Sequence, residues 1–135
     1  MTSAGPVLIL APIAVGELFD KISILEIKVA HAKDPATAAN VRWERDALCA
    51  LRDEHQLSQI VGSLADDLAA VNARLWEVED ALRTLEAEGR FDADFVALAR
   101  SVYRENDLRA ALKRRINAVA NSAIVEEKLH FQPGS

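Results

Sequence analysis

The sequence predicts an all-α protein, an antiparallel bundle of four to five helices, and three observations support this prediction. Only 5% of the 135 residues are aromatic, and five glycines and four prolines are present, so long helices are favoured over a turn-rich β fold. Leucines and valines recur at heptad spacing in the middle of the chain. Helix start and stop signals divide the rest into segments of helical length. We therefore expect a single helical domain, 1–135.

A short strand pair is predicted in addition to the bundle. Residues 7–10 are aliphatic and lie between two prolines, which is typical of a short strand. A strand needs a partner for its backbone groups, and residues 128–132 form the comparable segment at the other end. We therefore expect the N- and C-terminal segments to pair, within one chain or between two.

The first predicted helix runs from residue 16 to about residue 31 or 33 and is apolar on most sides. Such a helix is central or covered by a partner. Asp20 and Glu26 project among its apolar residues, and a buried carboxylate has to be paired or hydrogen-bonded. Three alternatives follow for these two side chains. They bond to neighbouring helices and fix their register, they face a ligand or metal cleft, or they reach solvent. The core-facing stripe consists of Leu18, Ile22, Leu25 and Val29.

Capping signals delimit the second predicted helix and the connection after it. Asp34 is the expected N-cap and Pro35 the first helical residue. The helix continues to about Gln56, and residues 57–62 form a connection.

The third predicted helix has the clearest periodicity. Ser63 is the expected N-cap, with Asp66 at the capping-box position, and Gly89 is the expected stop. A second stripe on this helix is polar and is interpreted either as an interhelical network or as a site. The heptad face is Leu64, Leu68, Val71, Leu75, Val78, Leu82 and Leu85, and the polar stripe is Asn72, Trp76, Glu79 and Arg83.

Asp92 is the expected cap of the fourth helix, whose apolar pattern weakens at residues 105–107. This predicts either one bent helix or two helices that meet there. Asn121 and Ser122 are expected to cap a last short turn through residues 126–128.

Residues 100–115 carry six basic and two acidic side chains, a net +4 within a chain of net charge −5. This stretch is interpreted as a solvated face that pairs with acidic helices, or as a surface that recognises phosphate or carboxylate. The carboxylate pairs Glu17 with Asp20 and Glu77 with Asp80 have the i,i+3 spacing that could hold Mg²⁺.

The net charge and the hydropathy of the sequence limit the binding partners and the cellular compartment that we expect for the protein. The net charge of −5 argues against broad binding to nucleic acid or to an anionic membrane. No stretch approaches the roughly 20 apolar residues that span a bilayer, and the N-terminus lacks the features of a signal peptide. We therefore expect a cytoplasmic protein, and the single Cys49 excludes an intramolecular disulfide framework.

The chain resembles a family of small bacterial proteins that is catalogued as a domain of unknown function. The resemblance rests on Gly-Glu-Leu at residues 16–18, Ile-Leu-Glu-Ile-Lys at 24–28, Leu-Trp and Glu-Asp at 75–80, and Leu-Ala-Arg-Ser-Val-Tyr at 98–103. It departs at Ala14, where the family prefers a Ser that would cap the first helix. The resemblance implies relatives near tetratricopeptide-repeat and glycosyltransferase-like proteins, and so a protein partner in a surface-polysaccharide pathway. It implies no activity.

Two functions remain open at this point. The first is a non-catalytic helical binding or assembly module, a homodimer through the first and third predicted helices, with no cofactor. The alternative is a small ligand-binding protein or Mg²⁺-dependent enzyme that acts on a phosphorylated metabolite or nucleotide sugar, with phosphate held by arginines and bases stacked on Trp76 and Tyr103. The candidate ligand-binding residues are Glu17, Asp20, Lys21, Glu26, Asn72, Trp76, Glu79, Arg100, Tyr103, Asn106 and Arg109.

Overall fold

The computed structural model describes residues 5–130 and confirms the all-α prediction. This range contains five helices in chain order: α1 (Val15–His31), α2 (Pro35–Glu54), α3 (Leu57–Val61), α4 (Leu64–Ala87) and α5 (Ala93–Val119). The third and fourth helices of the sequence analysis correspond to α4 and α5. None of the helices in the described range is long and apolar enough to cross a membrane.

Helix α1 is the central element of the bundle. It packs against α2, α4 and α5, and α4 and α5 pack most extensively against each other. The five-residue turn between α4 and α5 makes that pair antiparallel. The core contains residues from four helices, namely Leu18, Phe19 and Ile22 of α1, Leu57 and Val61 of α3, Leu68 of α4 and Ile116 of α5. Full burial of one such side chain stabilises the fold by roughly 1.5–3 kcal/mol.

Three predicted helix boundaries are present, each with a local hydrogen bond. The Asp34 carboxylate accepts a bond of 3.0 Å from the Thr37 backbone N–H at the start of α2. Asp92 accepts from the backbone N–H groups of Asp94 and Phe95 at the start of α5. Gly89 ends α4 with φ of +68°, a conformation that glycine adopts without strain.

One prediction around α3 and α4 is wrong, and one N-cap is confirmed in position but lacks its predicted side-chain bond. Residues 57–61, predicted as a connection, form the short helix α3, because Leu57 and Val61 are buried in the core. Ser63 makes no side-chain capping bond in the described structure, since its own backbone is already helical (φ −66°, ψ −15°). An N-cap residue normally needs an extended backbone to reach the first free N–H groups.

The C-terminal part of α5 also differs from the prediction. The helix is continuous through residues 105–107. Asn121 ends it with φ of +52°, and the Ser122 N–H donates to the Asn117 carbonyl at 2.9 Å. This bond closes the last turn of a helix, so Asn121 and Ser122 terminate α5 instead of starting another turn. Residues 124–130 are irregular and not helical.

The predicted strand pair is not formed in the described part of the chain. Residues 7–10 and 128–130 have no strand geometry. Residues 131 and 132, the rest of the second predicted segment, lie outside the described residues.

Candidate functional site

A buried carboxylate on α1 is the centre of the polar interior. Asp20 is only 1% exposed, because α1 is covered by helices on most sides. Its Oδ1 accepts hydrogen bonds of 2.9 Å from Arg109 Nε on α5 and from Asn72 Nδ2 on α4. Its Oδ2 accepts a second bond from Arg109, through Nη2. The carboxylate therefore joins three helices.

Three further hydrogen bonds and one longer ion pair extend this arrangement. Asn72 Nδ2 also lies 2.6 Å from Ser23 Oγ, and Ser23 Oγ donates to the Asp20 carbonyl at 2.9 Å. Lys113 Nζ donates to Glu17 Oε2 at 2.8 Å and lies 3.9 Å from Asp20 Oδ2. We refer to these residues as the Asp20 cluster: Glu17, Asp20, Ser23, Asn72, Arg109 and Lys113.

The environment stabilises the charged forms in the Asp20 cluster. Burial raises the pKa of Asp20, but the hydrogen bonds from Arg109 and Asn72 and the charges of Arg109 and Lys113 outweigh it, so the pKa lies below its ordinary value. The hydrogen bond with Asp20 raises the pKa of Arg109. Burial lowers the pKa of Lys113, but the bond to Glu17 and the nearby carboxylates raise it overall.

The charges of the cluster are balanced and its polar atoms bond to one another. Two carboxylates, Glu17 and Asp20, face two cations, Arg109 and Lys113. A metal ion at Asp20 would have to displace Arg109 from both oxygens. Within residues 5–130 there is also no group of three or more His, Cys, Asp or Glu placed to hold a metal ion. In this arrangement the cluster fixes the positions of α1, α4 and α5, which is one of the predicted roles of Asp20.

A groove of about 1020 Å³ lies beside the cluster, between α5 and the segment that follows it. We call it the α5 groove. Helix α5 contributes Tyr103, Asn106, Arg109, Lys113 and Asn117 to its walls, and residues 124–130 contribute Glu126, Lys128 and His130. Three residues nominated from the sequence, Tyr103, Asn106 and Arg109, are therefore together in one concave surface.

The cations on the floor of the α5 groove already have carboxylate partners. Arg109 is bound to Asp20, and Lys113 is bound to Glu17 and lies 3.4 Å from Glu126. Lys128 Nζ bonds to Asp107 Oδ1 at 2.8 Å. Arg114, at the edge, has no ion-pair partner among the described residues.

The other nominated residues lie apart from the groove. Glu26 is exposed and is 3.6 Å from Arg45 of α2, so it reaches solvent, one of the three alternatives left open. Lys21 is exposed and lies 3.9 Å from Glu17. Glu79 and Arg100 are exposed. Trp76 packs against the His31 ring with centroids 5.0 Å apart, and its buried Nε1 has no hydrogen-bond partner in the described structure.

Two residues that the sequence analysis did not nominate bind the start of α1. The side chain of Ala14 cannot accept a capping bond, and instead Asn117 Oδ1 accepts from the Gly16 N–H at 2.6 Å and Ser122 Oγ accepts from the Val15 N–H at 3.1 Å. Both acceptors come from the end of α5. The only local indication of these contacts in the sequence is Ala14, which cannot cap α1. It implies that another residue accepts the free N–H groups at the start of α1, but does not identify that residue.

Lys113 also belongs to the cluster but was not nominated. It appeared in the sequence only as part of the basic stretch, and its i,i+4 relation to Arg109 places both side chains on one face of α5. That spacing could have identified it once Arg109 was chosen.

Comparison with known proteins identifies the family but no function. The model of a family of unknown function, DUF6165, matches residues 10–135, and the chain belongs to that family. No curated protein and no solved structure matches the chain.

Proposed function

We propose that this chain is a non-catalytic helical assembly module that forms a homodimer. The observation that carries the proposal is the N-terminal arm, residues 5–13. Its four consecutive aliphatic side chains at residues 7–10 are between 65% and 84% exposed. The arm has no charged residue and makes no hydrogen bond with the rest of the described chain.

An apolar arm of this kind favours association. Burial of each Val, Leu or Ile side chain is worth roughly 1.5–3 kcal/mol, and residues 7–10 offer four of them. Ordering the arm costs about 1–2 kcal/mol per residue in backbone entropy, and the fixed φ of Pro6 and Pro12 reduces that cost.

The Asp20 cluster supports a non-catalytic role. A catalytic carboxylate needs a free oxygen that faces a substrate. Both Asp20 oxygens accept bonds from protein side chains, and the carboxylate is buried. The apolar faces of α1 and α4 are packed inside the chain, so we now assign the dimer contact to the arm instead of those helices.

Light scattering coupled to size-exclusion chromatography tests the proposal. The purified chain should elute with twice the 14.8 kDa chain mass, and Ile9→Asp should shift it to the monomer. Val96→Asp is the matched control, because Val96 is an exposed aliphatic residue on α5 and its replacement should leave the dimer intact. A wild-type monomer at all accessible concentrations would refute the assignment.

The α5 groove favours a second candidate, a small ligand-binding protein for a phosphorylated metabolite or nucleotide sugar. The supporting observation is Arg114, whose charge has no carboxylate partner among the described residues and which lines the same groove as Tyr103 and Asn106. Thermal unfolding with nucleotide sugars and sugar phosphates, with and without Mg²⁺, tests it. Ligand at about 100 times its Kd adds roughly 2.7 kcal/mol of stability. The increase should disappear in Arg114→Ala and persist in Arg115→Ala.

A further inference from the structure

We propose that the α5 groove binds the N-terminal arm of a second copy, whose residues 7–11 pair with residues 125–129 of the C-terminal segment. This inference rests on the proposed homodimer and names the two surfaces that form it. Each copy carries one arm and one groove. In a two-fold symmetric dimer the arm of each copy would therefore occupy the groove of the other, and the two contacts would be identical.

The backbone of both segments is available for pairing. Residues 7–11 make no backbone hydrogen bond in the described structure, and neither do residues 125–129. Unpaired N–H and C=O groups on an extended chain bind another extended chain readily. Pro6 and Pro12 lack an N–H, so they bound the arm's pairing region to the residues between them.

The dimensions of the two surfaces agree. The α5 wall of the groove runs from Tyr103 to Asn117, which is about 21 Å at the rise of an α-helix. Residues 7–11 span about 17 Å when extended, and so do residues 125–129, so both segments fit within the length of that wall. Alternate side chains of the arm would then face the groove, where Ala110 and the Tyr103 ring provide apolar surface.

The electrostatics of the groove floor favour an uncharged occupant over a small anion. Arg109 and Lys113 are neutralised by Asp20, Glu17 and Glu126. A phosphate at these cations would compete with carboxylates that are already bound. The arm carries no charge and needs none of these groups, so it can cover the floor without breaking an ion pair.

The backbone where the arm joins α1 makes it unfavourable for the arm to enter the α5 groove of its own chain. The start of α1 is fixed at one end of the groove, since the Gly16 N–H bonds to Asn117 and the Val15 N–H to Ser122. To enter its own groove, the arm would have to reverse direction within residues 11–13. Pro12 fixes its own φ and holds Ala11 in an extended conformation, which opposes that reversal and directs the arm toward a neighbour.

Cross-linking between two distinguishable chains tests the inference. In a Cys49→Ser background, one chain carries Ile9→Cys and the other, with a larger tag, carries Ala110→Cys. Mixed copies treated with a short bis-maleimide should give a covalent heterodimer of the two species. The control pairs Ile9→Cys with Val96→Cys, an exposed α5 residue that does not line the groove, and should give much less product.

The alternative outcomes separate this inference from the homodimer itself. The chain could be dimeric in solution while the Ile9–Ala110 pair cross-links no better than the Ile9–Val96 control pair. That result would overturn the groove assignment but not the homodimer. A chain that carries both Ile9→Cys and Ala110→Cys and cross-links only within itself shows that the arm fills its own groove. A chain that is monomeric by light scattering overturns both.

Discussion

Asp20 and Arg109 lie 89 residues apart in the chain and form an ion pair with two hydrogen bonds. Arg109 Nε lies 2.9 Å from Oδ1, and Nη2 donates to Oδ2. The planar guanidinium matches both oxygens of the carboxylate at once. Because Asp20 is nearly inaccessible to water, Arg109 is the main group that balances its charge, and α1 and α5 are thereby fixed in register.

Removal of Arg109 should destabilise the fold strongly. Arg109→Leu leaves the Asp20 carboxylate buried without its main partner, and breaking a buried pair on one side costs about 3–5 kcal/mol. Urea unfolding followed by circular dichroism measures the loss. Arg100→Leu is the control, because Arg100 is exposed on the same helix and should change stability by about 0.5 kcal/mol or less. Equal effects of the two variants would show that the pair does not stabilise the fold.

The stability of the protein should fall in acid because of Asp20. Its pKa is lowered in the folded state from the ordinary 3.8, so the unfolded chain binds the proton more readily. The contribution to stability is therefore complete above the unfolded pKa and is lost as the pH falls through the folded pKa. Urea midpoints measured at and below about pH 4 should decrease.

Asp20→Asn provides the comparison for this pH dependence. The variant should be less stable at neutral pH but should show a shallower decrease in acid, because the titrating group is gone. Asp66→Asn, at an exposed position on α4, should retain the wild-type slope. An unchanged slope in Asp20→Asn would mean that other carboxylates account for the acid sensitivity.

Much of the fold follows from local signals in the sequence. The apolar surroundings of α1 predicted a central helix, and Asp20 is buried there. The heptad face of α4 predicted the buried Leu68, Val71 and Leu75. Caps such as Asp34 depend on residues within one turn, which is why a sequence pattern identifies them. The buried faces of α1 and α4 were therefore predictable.

The remainder depends on contacts between residues that are far apart in the chain. Glu26 and Asp20 had similar surroundings in the sequence, but Glu26 is exposed beside α2. The short helix α3 exists because Leu57 and Val61 enter the core, which no local propensity encodes. Asn117 lies 101 residues from the Gly16 N–H that it binds. Position along the sequence cannot reveal such a pair.

Loss of Asn117 or Ser122 should weaken the start of α1. These side chains accept the Gly16 and Val15 N–H groups, a task that a capping residue at position 14 would otherwise perform. Asn117→Ala and Ser122→Ala should each cost about 1 kcal/mol and should accelerate hydrogen exchange at residues 15 and 16. Asn40→Ala, an exposed change on α2, should alter neither quantity. Unchanged exchange in Asn117→Ala would mean that another group binds the Gly16 N–H in solution.

Replacement of Gly16 by alanine should destabilise the protein, although the same change usually stabilises a helix. A Cβ at residue 16 would lie 2.6 Å from the Lys113 carbonyl oxygen and 3.0 Å from Asn117 Oδ1. Because the first is a backbone atom, α1 and α5 would have to separate, and overpacking of this kind costs about 1–3 kcal/mol. The matched control is the reverse change at an exposed interior site of α4: Ala70→Gly should cost about 1 kcal/mol from helix propensity alone. If thermal unfolding showed Gly16→Ala to be stabilising, the close approach of α1 and α5 would be wrong.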